Sequence, residues 1–550
     1  MPRAAGGRSA GPTLEQGLGQ RFLLSFDGRR EPSPEILEAL RRQHLGGIVL
    51  FRFRNMGTLE ELRALTGALQ EAARDSGQPP LLIAADQEGG QLMAVGDATP
   101  FPGNLALGAT RSETLARRVG RALGRELAAL GVNVDFAPVA DVNNNPENPV
   151  VGTRSFGEDP RCVARLTAAL VRGLQSAGVA ATAKHFPGHG DTATDSHHGA
   201  PVLHVPAARF RRVELPPFRA AVAAGARLVM TAHIVVPALN GGGDTPATLS
   251  RPILQGLLRG RLRFRGVIVS DAMDMGAIDQ GPGLAMDCLA ALAAGVDLLL
   301  FNHPAGVRER VYPALIQAVR RGLLAPGEVR AAAGRVLALK RWLAGREQPP
   351  LDVVGCREHV ALAREVARRS MTLVRDADGR LPIRLSPAAR MAVVLPRPED
   401  LTPADTSSTV VPALAAAVRR HHTGLEEHGI AMNPSDGEVR ALRERLSGLD
   451  LVIVGTINAD SHPGQAALVA SLVSGGTPTV AVALRMPYDL GAYPSAPTYA
   501  CAYGILPPSM EALADALWGR APFPGRLPVS LPAGLGSPSA TRPRRRGRRQ

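Results

Sequence analysis

Lysine is almost missing from this chain. Only Lys184 and Lys340 occur, and arginine supplies the other 61 of the 63 basic residues. An ammonium is a compact, rotatable donor, whereas guanidinium is a wide planar fork. A chain that uses arginine nearly everywhere yet keeps a lysine at 184 points to a narrow site there. Aromatic residues are scarce too, at 4%, which argues against a stacking platform for single-stranded nucleic acid. The four cysteines, Cys162, Cys288, Cys356 and Cys501, stand far apart with no C-x-x-C pair. That excludes a zinc ribbon or dithiol motif and leaves buried free thiols as the expectation. No apolar run reaches the length of a membrane span, and the first thirty residues lack the apolar stretch of a signal peptide. A soluble, cytoplasmic protein without nucleic-acid or membrane partners is expected.

What the chain does contain is length and a large apolar fraction. Its 550 residues suggest two or three domains, and 45% apolar content suits a sizeable core. The net charge of +14 is uneven, since the tail "RPRRRGRRQ" alone holds Arg542, Arg544, Arg545, Arg546, Arg548 and Arg549. Residues 536–550 therefore read as a disordered basic tail. Eight β-rich runs recur over the first three hundred residues: 21–26, 46–51, 81–86, 132–139, 179–186, 226–234, 266–273 and 295–301. Most are continuously apolar, as parallel strands covered on both faces are. Helical patterns lie between them, one ending at Gly178. This alternation predicts an α/β fold with an N-terminal (β/α)8 TIM-like barrel over 1–345; a doubly wound open sheet is the alternative. A connector over 346–375 follows. Four further runs, at 391–396, 451–456, 478–484 and 498–504, predict a smaller α/β sandwich domain over 376–535. No G-x-G-x-x-G or P-loop opens a helix there, so nucleotide binding has no support.

A barrel demands that functional groups cluster at the C-terminal ends of its strands. Asp86, Asp135, Lys184, His185, His233, Asp271 and Asn302 all fall at or near such ends. The densest segment is "KHFPGHGDTATDSHH", 184–198. Its histidines and aspartates are all metal-ligand types, but helical H-E-x-x-H spacing is absent, and Pro187, Gly188 and Gly190 exclude a regular helix. Metal held by loop ligands and a phosphate cradle at the two glycines stay open. In "DSH", Asp195 and His197 are two apart, so in an extended segment their side chains share a face. The carboxylate can then orient the imidazole and raise its pKa, which suits a general acid/base. "VIVSDAMDM", 267–275, ends the seventh run with Asp271 and Asp274. Either could be a nucleophile; Asp271 is preferred because it sits closer to the end of the apolar run.

Taken together, "KHFPGHGDTATDSH", "DQEGG" (86–90), "FPGNLALGAT" (101–110), "FAPVADV" (136–142), "GTRSFGEDP" (152–160) and "VIVSDAMDM" resemble glycoside hydrolase family 3, most closely its bacterial β-N-acetylglucosaminidase branch. "MTLVRDADGRLPI" and "GRLPVSLP" resemble the second domain of two-domain members. The resemblance implies a retaining exo-β-N-acetylglucosaminidase with a small saccharide substrate and no metal or other cofactor. It implies Asp271 as nucleophile and His197, paired with Asp195, as acid/base. Asp86, Arg154, Lys184 and His185 would grip sugar hydroxyls, and His189 and Asp191 would shape the loop. A β-glucosidase or phosphorylase of the same family, or an inactive sugar-binding protein, are the competing readings. The sequence also departs from the family pattern. Many relatives read "DQEGGRVQR", so Gln91 and Ala94 replace two expected arginines, the second of which commonly touches the sugar. His198 follows the Asp195–His197 pair, and Val236 stands where an aromatic is frequent.

Overall fold

The computed structural model describes residues 13–195, 199–278, 281–303, 306–532 and 535. Eight strands close a barrel: β1 (Phe22–Leu24), β2 (Gly47–Val49), β3 (Leu82–Ala85), β4 (Val134–Asp135), β5 (Ala180–Phe186), β6 (Leu228–Thr231), β7 (Val267–Ala272) and β8 (Leu298–Phe301). Each pairs in parallel with its sequence neighbours, and β8 pairs with β1. All eight predicted runs contain one of these strands. The ladders are shorter than the runs. The 132–139 run forms a strand only at Val134–Asp135, with a separate parallel bridge from Val139 to Lys184, and Pro138 between them has no N–H to give a ladder.

The helices between strands carry the signals that start and stop them. Helix Leu59–Asp75 opens with a reciprocal Thr58–Glu61 capping box. Helix Pro160–Ser176 opens with an Asp159 cap and Pro160 in its first turn. It stops just before Gly178, whose φ of +88° favours glycine. Its buried Val163, Leu166, Leu170 and Leu174 pack toward helix Glu113–Ala129. The two backbones come so close that a Cβ on Gly173 would strike the Arg117 carbonyl.

Past helix Pro326–Leu343, the stretch anticipated as a connector holds helix Arg357–Ser370 and the start of a strand. Six strands form the second sheet: β9 (Thr372–Asp376), β10 (Met391–Pro396), β11 (Leu425–Ile430), β12 (Leu451–Thr456), β13 (Thr479–Ala483) and β14 (Thr498–Cys501). Their order is β9-β14-β13-β12-β10-β11, with only the β9–β14 pair antiparallel. β10, β12, β13 and β14 match the predicted runs. β9 and β11 are edge strands, mostly part-exposed, and so lack a continuous apolar signature. Buried Glu126 ties the two units together, accepting from the Gly355 amide at 3.1 Å and from His359 Nδ1 at 2.6 Å. Cys162, Cys288 and Cys501 are buried and outside any disulfide as expected, but Cys356, which precedes helix Arg357–Ser370, is part-exposed. The tail 536–550 lies outside the described residues. Among the described residues no helix is long and apolar enough to cross a membrane.

Candidate active site

The strand ends place charged groups around one cavity of about 180 Å³ at the C-terminal mouth of the barrel. Asp86, Arg154, Lys184, His185 and Asp271, five of the residues singled out from sequence, all line it. Asp86 follows β3, Lys184 and His185 lie in β5, and Asp271 lies in β7. Arg154 comes from the one-turn helix Gly152–Arg154 in the loop after β4.

Behind the Lys184 and Arg154 side chains is a carboxylate that sequence reasoning quoted but gave no role. Glu88 is buried, and both its oxygens accept from Arg154, Nε at 3.0 Å and Nη2 at 2.8 Å. The Lys184 ammonium reaches the same Glu88 Oε1 at 2.7 Å and also bonds Asp86 Oδ1. Burial alone would raise the Glu88 carboxyl, but the Arg154 and Lys184 cations outweigh it and hold it at about 2. Burial likewise opposes charge on Lys184, and Asp86 and Glu88 overcome it, raising the ammonium's pKa. Lys184 is thus a cation wedged between two carboxylates at 1% exposure, the narrow environment in which an ammonium fits. Lys340 shows that burial, not function alone, selects lysine here, since it too is buried.

His185 is oriented by a second unassigned carboxylate. Its Nδ1 donates to Asp141 Oδ2 at 2.7 Å, and its backbone N donates to Asp141 Oδ1 at 3.2 Å. That leaves Nε2 facing Arg154 Nη2 at 3.4 Å. The His189 amide also donates to Asp141, at 2.8 Å. His189 Nδ1 bonds Thr192 Oγ1 at 2.7 Å, and Asn148 Nδ2 donates to the carbonyls of His189 and Thr192. Asp191 pairs with Arg209 at 2.7 Å. His189 and Asp191 therefore do hold the loop's shape, and His189 also borders the cavity. Burial drives the His189 imidazole down to about 4, against the pull of Asp141, so it is neutral near pH 7.

The two candidate aspartates have different surroundings. Asp274 accepts from the Asn302 amide at 3.0 Å and from the His303 amide, fixing the turn after β8. Asp271 lines the cavity and accepts from the Ala272 amide at 2.9 Å. Asp195 is buried at 8% exposure beside the loop. Its expected partner His197 lies outside the described residues, as does His198. Asp135 is fully buried beneath the site; its Oδ1 accepts from the Gln87 amide, and burial raises its pKa well above the usual range. Among the described residues no group of three or more His, Cys, Asp or Glu is arranged to hold a metal ion.

One wall of the cavity comes from the second domain. Residues Pro403–Thr406 line it, and they dock on the hairpin formed by Gln87–Gly89 and Leu92–Met93. The Thr406 amide and hydroxyl both donate to the Gln91 carbonyl at 2.8 Å. Arg485 pairs with Asp405 at 2.8 Å and reaches the Gln91 side chain with its other terminal nitrogen. An arginine at 91 would confront the Arg485 guanidinium, so the glutamine there suits this junction.

Comparison with known proteins agrees with this architecture. The model described as the glycosyl hydrolase family 3 N-terminal domain matches residues 13–339. A β-hexosaminidase A of Pseudoalteromonas piscicida is 37% identical over 68% of this chain and 69% of its own length. A β-N-acetylglucosaminidase/β-glucosidase of Cellulomonas fimi is 34% identical over 94% of this chain and 93% of its own. The solved structure of a glycoside hydrolase family 3 β-N-acetylglucosaminidase from Paenibacillus sp. str. FPU-7 superposes with a TM-score of 0.89 at 36% identity, covering 94% of this chain and 99% of that one. With a family model matched over more than half of its length and a relative 34% identical over 94% of it, the chain belongs to glycosyl hydrolase family 3.

Proposed function

We propose that the protein is a retaining exo-β-N-acetylglucosaminidase that removes terminal β-linked GlcNAc from cell-wall fragments or related oligosaccharides in the cytoplasm. The observation that carries this reading is Asp271, on β7, facing the same cavity as the Asp86–Lys184–Glu88–Arg154 network. The network offers a carboxylate and cations to alternate hydroxyls of one sugar, and Asp271 offers an oxygen to its anomeric carbon. A cavity of about 180 Å³ suits a single sugar residue, which favours cleavage from a chain end.

In the first step, His197 gives its proton to the glycosidic oxygen as the bond from that oxygen to C1 breaks and Asp271 bonds to C1. In the second, neutral His197 takes a proton from water, the water oxygen bonds to C1, and the ester to Asp271 breaks. In this reading Asp195 is the positioning partner of His197. His189, which also borders the cavity, is a poor substitute at neutral pH, because a group with a pKa of about 4 is almost never protonated there. Asp274 is a poor substitute for Asp271, because both its oxygens are taken by backbone amides after β8.

The test is a panel of aryl β-glycosides, with and without phosphate. Turnover of the aryl β-GlcNAc with release of free GlcNAc supports the reading. Preference for the glucoside, a sugar 1-phosphate product, or no turnover of any glycoside would replace it with the β-glucosidase, phosphorylase or binding-protein reading respectively.

A further inference from the structure

Ala94 removes a guanidinium from the sugar-facing hairpin, yet one stands beside it. Arg52 follows β2 and lines the same cavity as Asp86, Lys184 and Asp271. Its Nη1 donates to the Met93 carbonyl at 3.0 Å. On the other side of Ala94, a Cβ added to Gly96 would collide with Arg52 Nη2. The guanidinium therefore lies along backbone 93–96 and straddles Ala94, whose methyl also faces the cavity. The Ala94 amide in turn donates to the Asp86 carbonyl at 3.0 Å, which fixes this stretch next to Asp86.

Among the described residues Arg52 makes no ion pair within 4.0 Å, and the bond to Met93 uses one of the five N–H donors of a guanidinium. Burial lowers its pKa, opposed by the more distant charges of Asp97 and Asp400. A half-buried cation with spare donors at a cavity wall is a binding group awaiting acceptors. Sugar hydroxyl oxygens are such acceptors, and a carboxylate such as Asp86 can take the proton of the same hydroxyl.

We propose that Arg52 is a specificity-determining residue of the glycone subsite, supplying from the short helix Arg52–Asn55 after β2 the guanidinium that Ala94 lacks and binding hydroxyls at the non-reducing end of the sugar beside Asp86. The proposal rests on the GlcNAc reading above and extends it to a residue outside the family motifs. It also accounts for Gly96, since any side chain there would displace the Arg52 guanidinium.

The experiment compares the full-length wild type with Arg52→Ala, Arg52→Lys and the double variant Arg52→Ala/Ala94→Arg. Circular dichroism checks each fold, calorimetry measures binding of free GlcNAc, and an aryl β-GlcNAc measures turnover. Loss of one or two charge-assisted hydrogen bonds should weaken GlcNAc binding and raise KM about 10- to 100-fold. kcat should change much less, because binding to substrate and transition state falls together. Arg52→Lys should fall between, keeping the charge without the fork. Ala94→Arg should recover most of the affinity in the Arg52→Ala background. Unchanged GlcNAc binding in Arg52→Ala would overturn the proposal, as would failure of Ala94→Arg to recover any affinity. A higher KM for a GlcNAc disaccharide with intact GlcNAc binding would assign Arg52 to the aglycone side and overturn it too. A wild type that binds and cleaves GlcNAc glycosides while Arg52→Ala behaves identically separates this failure from failure of the GlcNAc reading, in which the wild type itself neither binds nor cleaves them.

Discussion

Replacing Glu88 by glutamine tests whether the site is held by charge. The substitution keeps shape but removes the anion that three short contacts converge on, at 2.7, 2.8 and 3.0 Å. One amide oxygen can still accept, but the amide nitrogen would then point N–H groups at the Arg154 N–H groups. Lys184 keeps Asp86 as counter-ion, whereas Arg154 is left buried with its bidentate partner gone. Breaking a buried pair in this way costs about 3–5 kcal/mol, which lowers the midpoint by roughly 2–4 °C per kcal/mol in a domain of 150–250 residues and somewhat less in a larger one. Thermal unfolding should show a drop of several degrees. Turnover should fall about 10²-fold, since displacing sugar-positioning groups by about 1 Å has effects of that order. The pH dependence adds a second signature. The Arg154 and Lys184 cations hold the Glu88 carboxyl at about 2 in the folded protein against its ordinary 4.5, so its stabilisation is present above about 4.5 and is lost as pH falls toward 2. Acid unfolding of the wild type should therefore be steeper over that window than that of Glu88→Gln. A variant with the wild-type midpoint, turnover and acid profile would refute the reasoning.

Asp271→Asn should abolish turnover of every glycoside and leave the unfolding midpoint within a few degrees; wild-type activity would transfer the nucleophile role elsewhere. His197→Ala should slow substrates with poor leaving groups far more than an activated phenol, which needs little protonation; equal losses, read from kcat/KM across a series of aryl leaving groups, would remove the proton-donor role. Lys340 is buried with a Gln20 hydrogen bond at 2.6 Å, and burial pulls its pKa from 10.5 to about 7. Between those values the unfolded chain binds more protons than the folded one, so this residue makes stability rise with pH at up to about 1.4 kcal/mol per unit. Lys340→Met should flatten that rise in urea unfolding measured from pH 7 to 10; an identical slope in both proteins would show that Lys340 stays charged when folded.

The barrel was legible because each of its strands is covered on both faces, so "LLIAAD" and "GVDLLLF" read as unbroken apolar runs. "LEEHGI" of β11 was not, because an edge strand half open to solvent carries polar side chains that no periodicity separates from a loop. In the site, Asp271, Lys184 and Asp86 stood out as polar residues closing apolar strands. Glu88 and Asp141 did not, because their roles depend on partners 66 and 44 residues away, and such pairings exist only once the barrel closes. Arg52 opens the short helix Arg52–Asn55, whose sequence gives no hint which of its two guanidinium groups turns inward. Gln91 and Ala94 read from sequence as losses, whereas the fold brings Arg485 and Arg52 to those two positions.

The cavity wall built by Pro403–Thr406 has a temporal consequence. A ribosome delivers the chain from its N-terminus, and domains fold as they emerge. By the time β8 has appeared, every strand of the barrel exists, and Asp271 and Lys184 can take their places around an incomplete rim. The missing side arrives only about a hundred residues later, at roughly 5–20 residues per second, and is secured later still, when Arg485 emerges to clasp Asp405 and Gln91. The newborn barrel is therefore a dish, and it becomes a fitted socket only once the second domain closes its side.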